Sequence, residues 1–431
     1  MALHPQAKHR LVELISADLK NVVVKNGMFP EPLSFFFAFY KANEALPNTG
    51  AQAEKWQDQI GHYPFIDFAQ AVITRELNDK DSYQPGDVSN SLVDFEEYKD
   101  AAAAAERLVD LFSSLPWSYR LTVKLPRGVT PPLPGDVSRF PLGPTARLLE
   151  ADLLLSDEMP LQHGNRRVLQ RAAGTGLGGL LTIGQQQEWE EGSQYLQFDT
   201  DGLIGIYGSG GAVDEVSRVL QSFLGLGLAM GLFQYEADFK TASNKHRWIV
   251  HQKVEGSWQL DTGFDLNESD AAVLNGIKMW DSFGANYPDH HKLPWLQGVL
   301  STISKVFNSS KATSILLASK WFFDSFKRSD DVLTYVRRVT VLEIILGSDA
   351  NTSKASLGEL MGNRLAYLIG KTHEDRAIVL QDFKDVYGLR SKILHTGKFR
   401  LRHNERFALA KLKNYCERAL KEEVRLLVES A

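Results

Sequence analysis

Cysteine is all but missing from this chain: among 431 residues there is one, Cys416. No intrachain disulfide can form and no zinc-ligand spacing exists, so the expected setting is reducing and cytoplasmic. Long apolar runs are lacking too. The most apolar stretch, VLQSFLGLGLAMGLF from Val219 to Phe233, is shorter than the roughly 20 residues a membrane span needs and is rich in glycine, so it reads as a buried helix. The opening MALHPQAKHRLVELISADLK has no uninterrupted apolar core before a cleavage site, which argues against a signal peptide. Excess positive charge is absent. The formal net charge is -5, so the molecule as a whole is no electrostatic binder of nucleic acid and any basic surface must be local. What remains is ordinary globular composition, 43% hydrophobic and 23% charged, with length for two or three domains.

The texture of the chain changes twice. From His9 to about Leu111 it reads as helical: Leu11, Leu14, Ile15 and Leu19 have helical spacing, and DAAAAAERLVDLFSSL is a helix by alanine content. After Pro116, SYRLTVKLP alternates like a strand, and PRGVTPPLPGDVSRFPLGP is too dense in proline and glycine for regular structure. QYLQFDTDGLIGIYGSGG predicts two strands around a turn at Asp201-Gly202, and RWIVHQKVEGSWQLDTGF predicts a second hairpin turning at Glu255-Gly256. From about Ser309 strand signals vanish and five helices follow, several closed by glycine. The expected fold class is α+β: a mixed N-terminal region (1–305, with a division near 115) followed by an all-α bundle (306–431).

The chemistry-bearing stretch is YGLRSKILHTGK, Tyr387 to Lys398. Val386, Leu389 and Ile393 form an apolar stripe that should face the bundle core. Arg390 lies beside it and His395 just after it. Residues five apart on a helix point about 140° away from each other. Two arrangements would bring both to one phosphate. Either the last turn unwinds at Gly397 and the imidazole swings, or two copies of the chain meet across a two-fold axis and share a cleft. The residue types suit RNA cleavage without a metal: imidazole moves protons near neutral pH, and a guanidinium fork grips phosphate oxygens. The plain reading stands beside this one. A histidine at a helix end can cap carbonyls, and an arginine beside an apolar stripe can pair with a carboxylate.

The C-terminal block resembles the HEPN superfamily, and within it the Apea-like group of bacterial defence proteins. The resemblance covers roughly Ser314 to Glu429. It is carried, in order, by VLTYVRRVTVLEIILGSD, GNRLAYLIG and VYGLRSKILHTGK. The superfamily motif is an arginine, a polar residue, then a histidine four to six residues from the arginine; here those are Arg390, Ser391 and His395. The resemblance implies a helical bundle and a metal-independent endoribonuclease whose cleft forms between two HEPN domains, hence a homodimer, with Arg390 and His395 catalytic and Ser391 supporting. It implies no cofactor, and a place in antiviral defence or as a toxin-type effector. Some superfamily members bind RNA or protein without cleaving, which is the alternative reading. Glu343, acidic on an otherwise apolar helix, either orients Arg390 by an ion pair or is an exposed helix charge. Just after the motif, Lys398, Arg400, Arg402 and Arg406 are interleaved with Phe399 and Phe407. This is a candidate RNA track if it is not a solvated loop.

The first 300 residues carry weaker signals. GTGLGG at Gly174, Gly176 and Gly179 fits a dinucleotide fingerprint in letters, but helix and strand come in the wrong order around it. GSGG at Gly208–Gly211 reads as a tight turn, since no Lys-Ser/Thr follows to make a phosphate loop. Asp289, His290 and His291 are adjacent and diverge, so no metal site is assigned. By analogy with multi-domain HEPN proteins, this region is expected to be a sensing or regulatory module with its own trigger ligand. If it were instead the enzyme, with the bundle a dimeriser, activity would survive loss of His395.

Overall fold

The computed structural model describes residues 3–78, 88–126, 128–134, 137–161, 189–205, 208–236, 245–279, 289–327, 330–347 and 357–430. The chain opens with α1 (Pro5–Asp18), β1 (Val23–Lys25), β2 (Phe29–Pro30), α2 (Pro32–Glu44), α3 (Ala51–Gln59), α4 (Pro64–Asn78), β3 (Ser89–Ser91) and α5 (Ala101–Ser113). Prolines begin α1, α2 and α4, where a missing N–H costs nothing. Asp100 caps α5 by accepting from the Ala102 and Ala103 amides. The aromatic core of this unit holds Phe39, Trp56, Phe65, Phe68 and Phe112, and Leu203 from further along the chain joins it. The helical expectation for this third needs one correction: β1, β2 and β3 make a small antiparallel sheet in the order β2-β1-β3.

Next come β4 (Trp117–Lys124), β5 (Arg139–Pro141), β6 (Ala146–Glu150), α6 (Leu153–Glu158), β7 (Gln194–Gly202), α7 (Gly211–Met230), β8 (Phe233–Tyr235), β9 (Arg247–Val254), β10 (Ser257–Asp265), α8 (Glu268–Gly276) and β11 (Ile277–Met279). A six-stranded antiparallel sheet runs β10-β9-β4-β7-β6-β5. The β9–β10 hairpin turns at Glu255 and Gly256, both at positive φ (50° and 85°), the conformation a tight two-residue turn requires. Among the described residues no hairpin forms at Asp201-Gly202. Both residues belong to β7, which ends at Gly202 and pairs with β4 from Tyr195 opposite Lys124 out to Gly202 opposite Trp117. Gly202 is there for close approach instead: a methyl on it would stand 2.9 Å from the Gln59 carbonyl oxygen. The apolar run from Val219 lies in α7 as far as Met230; the helix is buried over most of its length and stops at Gly231 in the left-handed conformation, and Phe233 at the end of the run opens β8 instead. Arg75 of α4 bonds the Ile204 carbonyl (3.1 Å) and Asp261 (3.0 Å), tying the helical unit to the sheet.

The remaining described elements are α9 (Asp289–Phe307), α10 (Thr313–Asp324), α11 (Asp331–Leu346), α12 (Leu357–Ile369), α13 (His373–Thr396) and α14 (His403–Glu429). The protein is thus mixed, with a helical C-terminal region. Its main core is continuous across residue 305. It runs from Leu121, Phe198 and Val250 in the sheet, through α7, to Phe322, Leu342, Leu365 and Leu420 in the helices. At the crossing of α7 and α10 the backbones touch. A methyl on Gly225 would lie 1.9 Å from the Ser319 carbonyl oxygen, and Ser222 donates to the Leu316 carbonyl at 3.0 Å. GSGG makes a tight corner before α7: Gly208 and Gly210 have positive φ, and a methyl on Gly211 would meet the Asp58 carbonyl oxygen at 1.8 Å. GTGLGG lies outside the described residues. Asp289 opens α9, and among the described residues no group of three or more histidine, cysteine or carboxylate side chains could hold a metal ion. Nor is any described helix long and apolar enough to cross a membrane.

Candidate active site

α13 carries the motif. Thr372 caps its start by accepting from the Asp375 amide, and Gly397 (φ 65°, ψ 31°) closes it in the left-handed conformation. Val379, Phe383, Val386, Leu389 and Ile393 are buried, which makes the expected stripe the helix's inner face. Two polar anchors fix its rotation. The Tyr335 hydroxyl of α11 donates to the Val386 carbonyl at 2.8 Å, and Asp382 accepts from Lys411 (2.8 Å) and Tyr415 (2.6 Å) of α14. Burial alone would raise the Asp382 carboxyl, but those two hydrogen bonds outweigh it and hold it below the ordinary carboxylate range.

Arg390 is half-buried. Its Nε lies 3.1 Å from Glu343 Oε1 of α11, with each side chain 26% exposed. That oxygen has no hydrogen-bond partner among the described residues, so the contact is a charge pair off the hydrogen-bonding direction. The guanidinium carbon also sits 5.6 Å from the centre of the Tyr387 ring. His395 and Ser391 are exposed. The helix stays regular through Thr396, so the unwound last turn is not adopted. Arg390 and His395 therefore point to different sides of one helix, and a single chain does not bring them together. Lys384, Gly388, Ser391 and His395, spaced by four, three and four, form an exposed stripe opposite Arg390.

The candidate RNA track divides. Lys398 is paired with Glu405 and holds that carboxyl below its usual range. Arg406 Nε is 2.9 Å from Asp331. The backbone N–H of Arg402 donates to Glu405 at the start of α14 (2.7 Å). Arg400 is exposed and makes no ion pair among the described residues. Beside it Phe399 is 87% exposed and Phe407 66%, while Leu401 is buried and pins the segment between them. Two of the four cations thus serve the bundle's own structure. Their partners, Asp331 and Glu405, are carboxylates at helix starts, a signal readable in the sequence but passed over.

No family model, curated protein or solved structure matches this chain. The outer face of the six-stranded sheet holds a second cluster that sequence reading missed. Arg120 reaches Asp199 (2.7 Å) and Glu158 (3.0 Å) and stacks over Trp258 at 4.2 Å. Arg147 takes Asp199 at 2.7 Å, and Arg139 takes Glu158 at 2.7 Å. Gln197 links Arg147 to Thr122 through hydrogen bonds of 2.7 and 3.2 Å. A cavity of about 460 Å³ opens beside it, but the charged groups in the cluster already answer one another. Arg120, Thr122, Gln197, Asp199 and Arg147 lie on the neighbouring strands β4, β7 and β6, where alternation of faces is legible but cross-strand register is not, and Glu158 comes from α6.

Proposed function

We propose that this chain is a metal-independent endoribonuclease of HEPN type that works as a homodimer. The observation that carries the reading is the split site: a half-buried Arg390 held by Glu343, and an exposed His395 on the other side of the same helix. A second copy supplies what one chain lacks. Gly388 supports this assembly. A glycine inside a helix costs about 1 kcal/mol relative to alanine, and among the described residues, its own helix's backbone aside, nothing lies within 4 Å of where its side chain would be. It sits on the same stripe as His395, where another helix can approach closely.

In the shared cleft, the ribose 2′-hydroxyl gives up its proton and attacks the adjacent phosphorus. The bond to the 5′-oxygen breaks, and that oxygen takes up a proton. The products carry a 2′,3′-cyclic phosphate and a 5′-hydroxyl. His395 performs proton transfer, and Arg390 grips the phosphate oxygens as charge builds on them. Ser391, one turn from His395, supports the substrate side. Arg400 and Phe399 extend the contact along single-stranded RNA, by charge and by stacking. On this reading the N-terminal unit and sheet are the regulatory part, and the HEPN-like motif favours a role in bacterial antiviral defence or toxin action. The test is to incubate purified protein with total RNA in EDTA and map the ends. Cyclic-phosphate ends that vanish in His395→Ala support the reading. Activity that requires a metal, or survives His395→Ala, refutes it.

A further inference from the structure

The charge pair with Glu343 does not by itself fix the direction of the Arg390 guanidinium, because the contact lies off the hydrogen-bonding direction. A second constraint comes from the helix before the motif. α12 carries two glycines four residues apart, Gly358 and Gly362, which lie on one face. α13 carries two aromatic residues four apart, Phe383 and Tyr387. The two pairs mesh. A methyl on Gly358 would stand 2.6 Å from Cδ1 and 2.8 Å from Cε1 of Tyr387, and a methyl on Gly362 would stand 3.1 Å from Cδ1 of Phe383. The rings lie nearly parallel, 20° apart with centres at 5.8 Å. Phe383 is fully buried and Tyr387 partly so. The Tyr387 ring is therefore seated by the bare backbone of α12 on one side and by Phe383 on another. Its π-face then meets Arg390 one turn further along.

We infer that Tyr387, seated in the notch at Gly358, is a positioning residue that aims the Arg390 guanidinium. The ring sets the plane of the cation and Glu343 supplies the charge. Neither Tyr387 nor Gly358 needs to touch RNA. The catalytic consequence rests on the ribonuclease reading; the geometric one does not.

The experiment uses full-length protein labelled with ¹⁵N-arginine. The Nε–Hε signal of Arg390 is assigned by its loss in Arg390→Lys. Tyr387→Phe keeps the ring and should leave the signal and the cleavage rate as in the wild type. Tyr387→Leu removes the ring. It should shift the signal and speed its hydrogen exchange, and lower kcat by on the order of 10²-fold with KM unchanged, as a misplaced phosphate group would. Gly358→Ala should do the same by displacing the ring. If that variant fails to fold, the Phe and Leu pair at Tyr387 decides alone, since it only removes atoms. An unchanged Arg390 signal in Tyr387→Leu overturns the inference, whatever happens to the rate. If the signal responds as stated but wild-type protein cuts no RNA, the positioning stands and the ribonuclease reading falls.

Discussion

The outer face of the sheet and the end of α13 hold similar residues and treat them in opposite ways. On the sheet, Arg120, Arg139 and Arg147 share Asp199 and Glu158 in a closed network, with Trp258 stacked above. Such a network, with its hydrogen bonds made, holds strands in register. On α13, Arg390 has one carboxylate in an off-line contact, His395 faces solvent, and Gly388 leaves room for another body. A ligand gains most where charged groups are still unmatched. The cluster with more charges and a cavity beside it is the more complete one, and completeness leaves little for a ligand to do. The sparser cluster has capacity to spare.

Substitutions in the two clusters should separate them outright. His395→Ala should lower RNA cleavage by about 10²–10⁴-fold and leave thermal stability unchanged, since the side chain is exposed. Arg390→Ala should also lose cleavage, and Arg390→Lys should not restore it, because an ammonium lacks the planar two-point grip. Asp199→Ala should do the reverse. Leaving Arg120 and Arg147 without their shared carboxylate should lower stability by roughly 1–3 kcal/mol in urea unfolding, with cleavage at saturating RNA intact.

A third comparison concerns pH. Asp382 is held below the ordinary carboxylate range in the folded state, so its contribution is full at neutral pH. It fades as pH falls below about 4, through the folded-state value. Asp382→Asn should cost about 1 kcal/mol at pH 7 and nothing in strong acid, flattening the acid limb of the stability curve. The smallest effect distinguishes spare cations from occupied ones. Arg400→Ala should weaken RNA binding and lower the slope of log affinity against log salt by about 0.7. Lys398→Ala should leave that slope nearly unchanged, because Lys398 is committed to Glu405.

Much of the C-terminal region was legible because local signals agree there. Asp330 caps α11 and Gly347 follows it; Thr372 caps α13 and Gly397 ends it; Val386, Leu389 and Ile393 mark the inward face. The β9–β10 hairpin was legible for the same reason, since Glu255-Gly256 is a local turn. Asp201-Gly202 misled because Gly202 answers a distant demand, the carbonyl of Gln59 in α3, which no local pattern announces. The site was half legible. Spacing placed Arg390 and His395 on one helix and gave their divergence. The continuation of that helix to Thr396, the ion pairs that occupy Lys398 and Arg406, and the notch at Gly358 all depend on which element packs against which.

The crossing of α7 and α10 at Gly225 has a mechanical corollary. Most helix pairs meet through side chains, which change rotamer and absorb small displacements as play in the joint. Here the Gly225 backbone meets the Ser319 carbonyl with nothing between them. The backbone contact at this point has no rotamer to give, so any side chain larger than a hydrogen at position 225 has to part the two helices. α10 in turn packs directly on α11, the helix that carries Glu343.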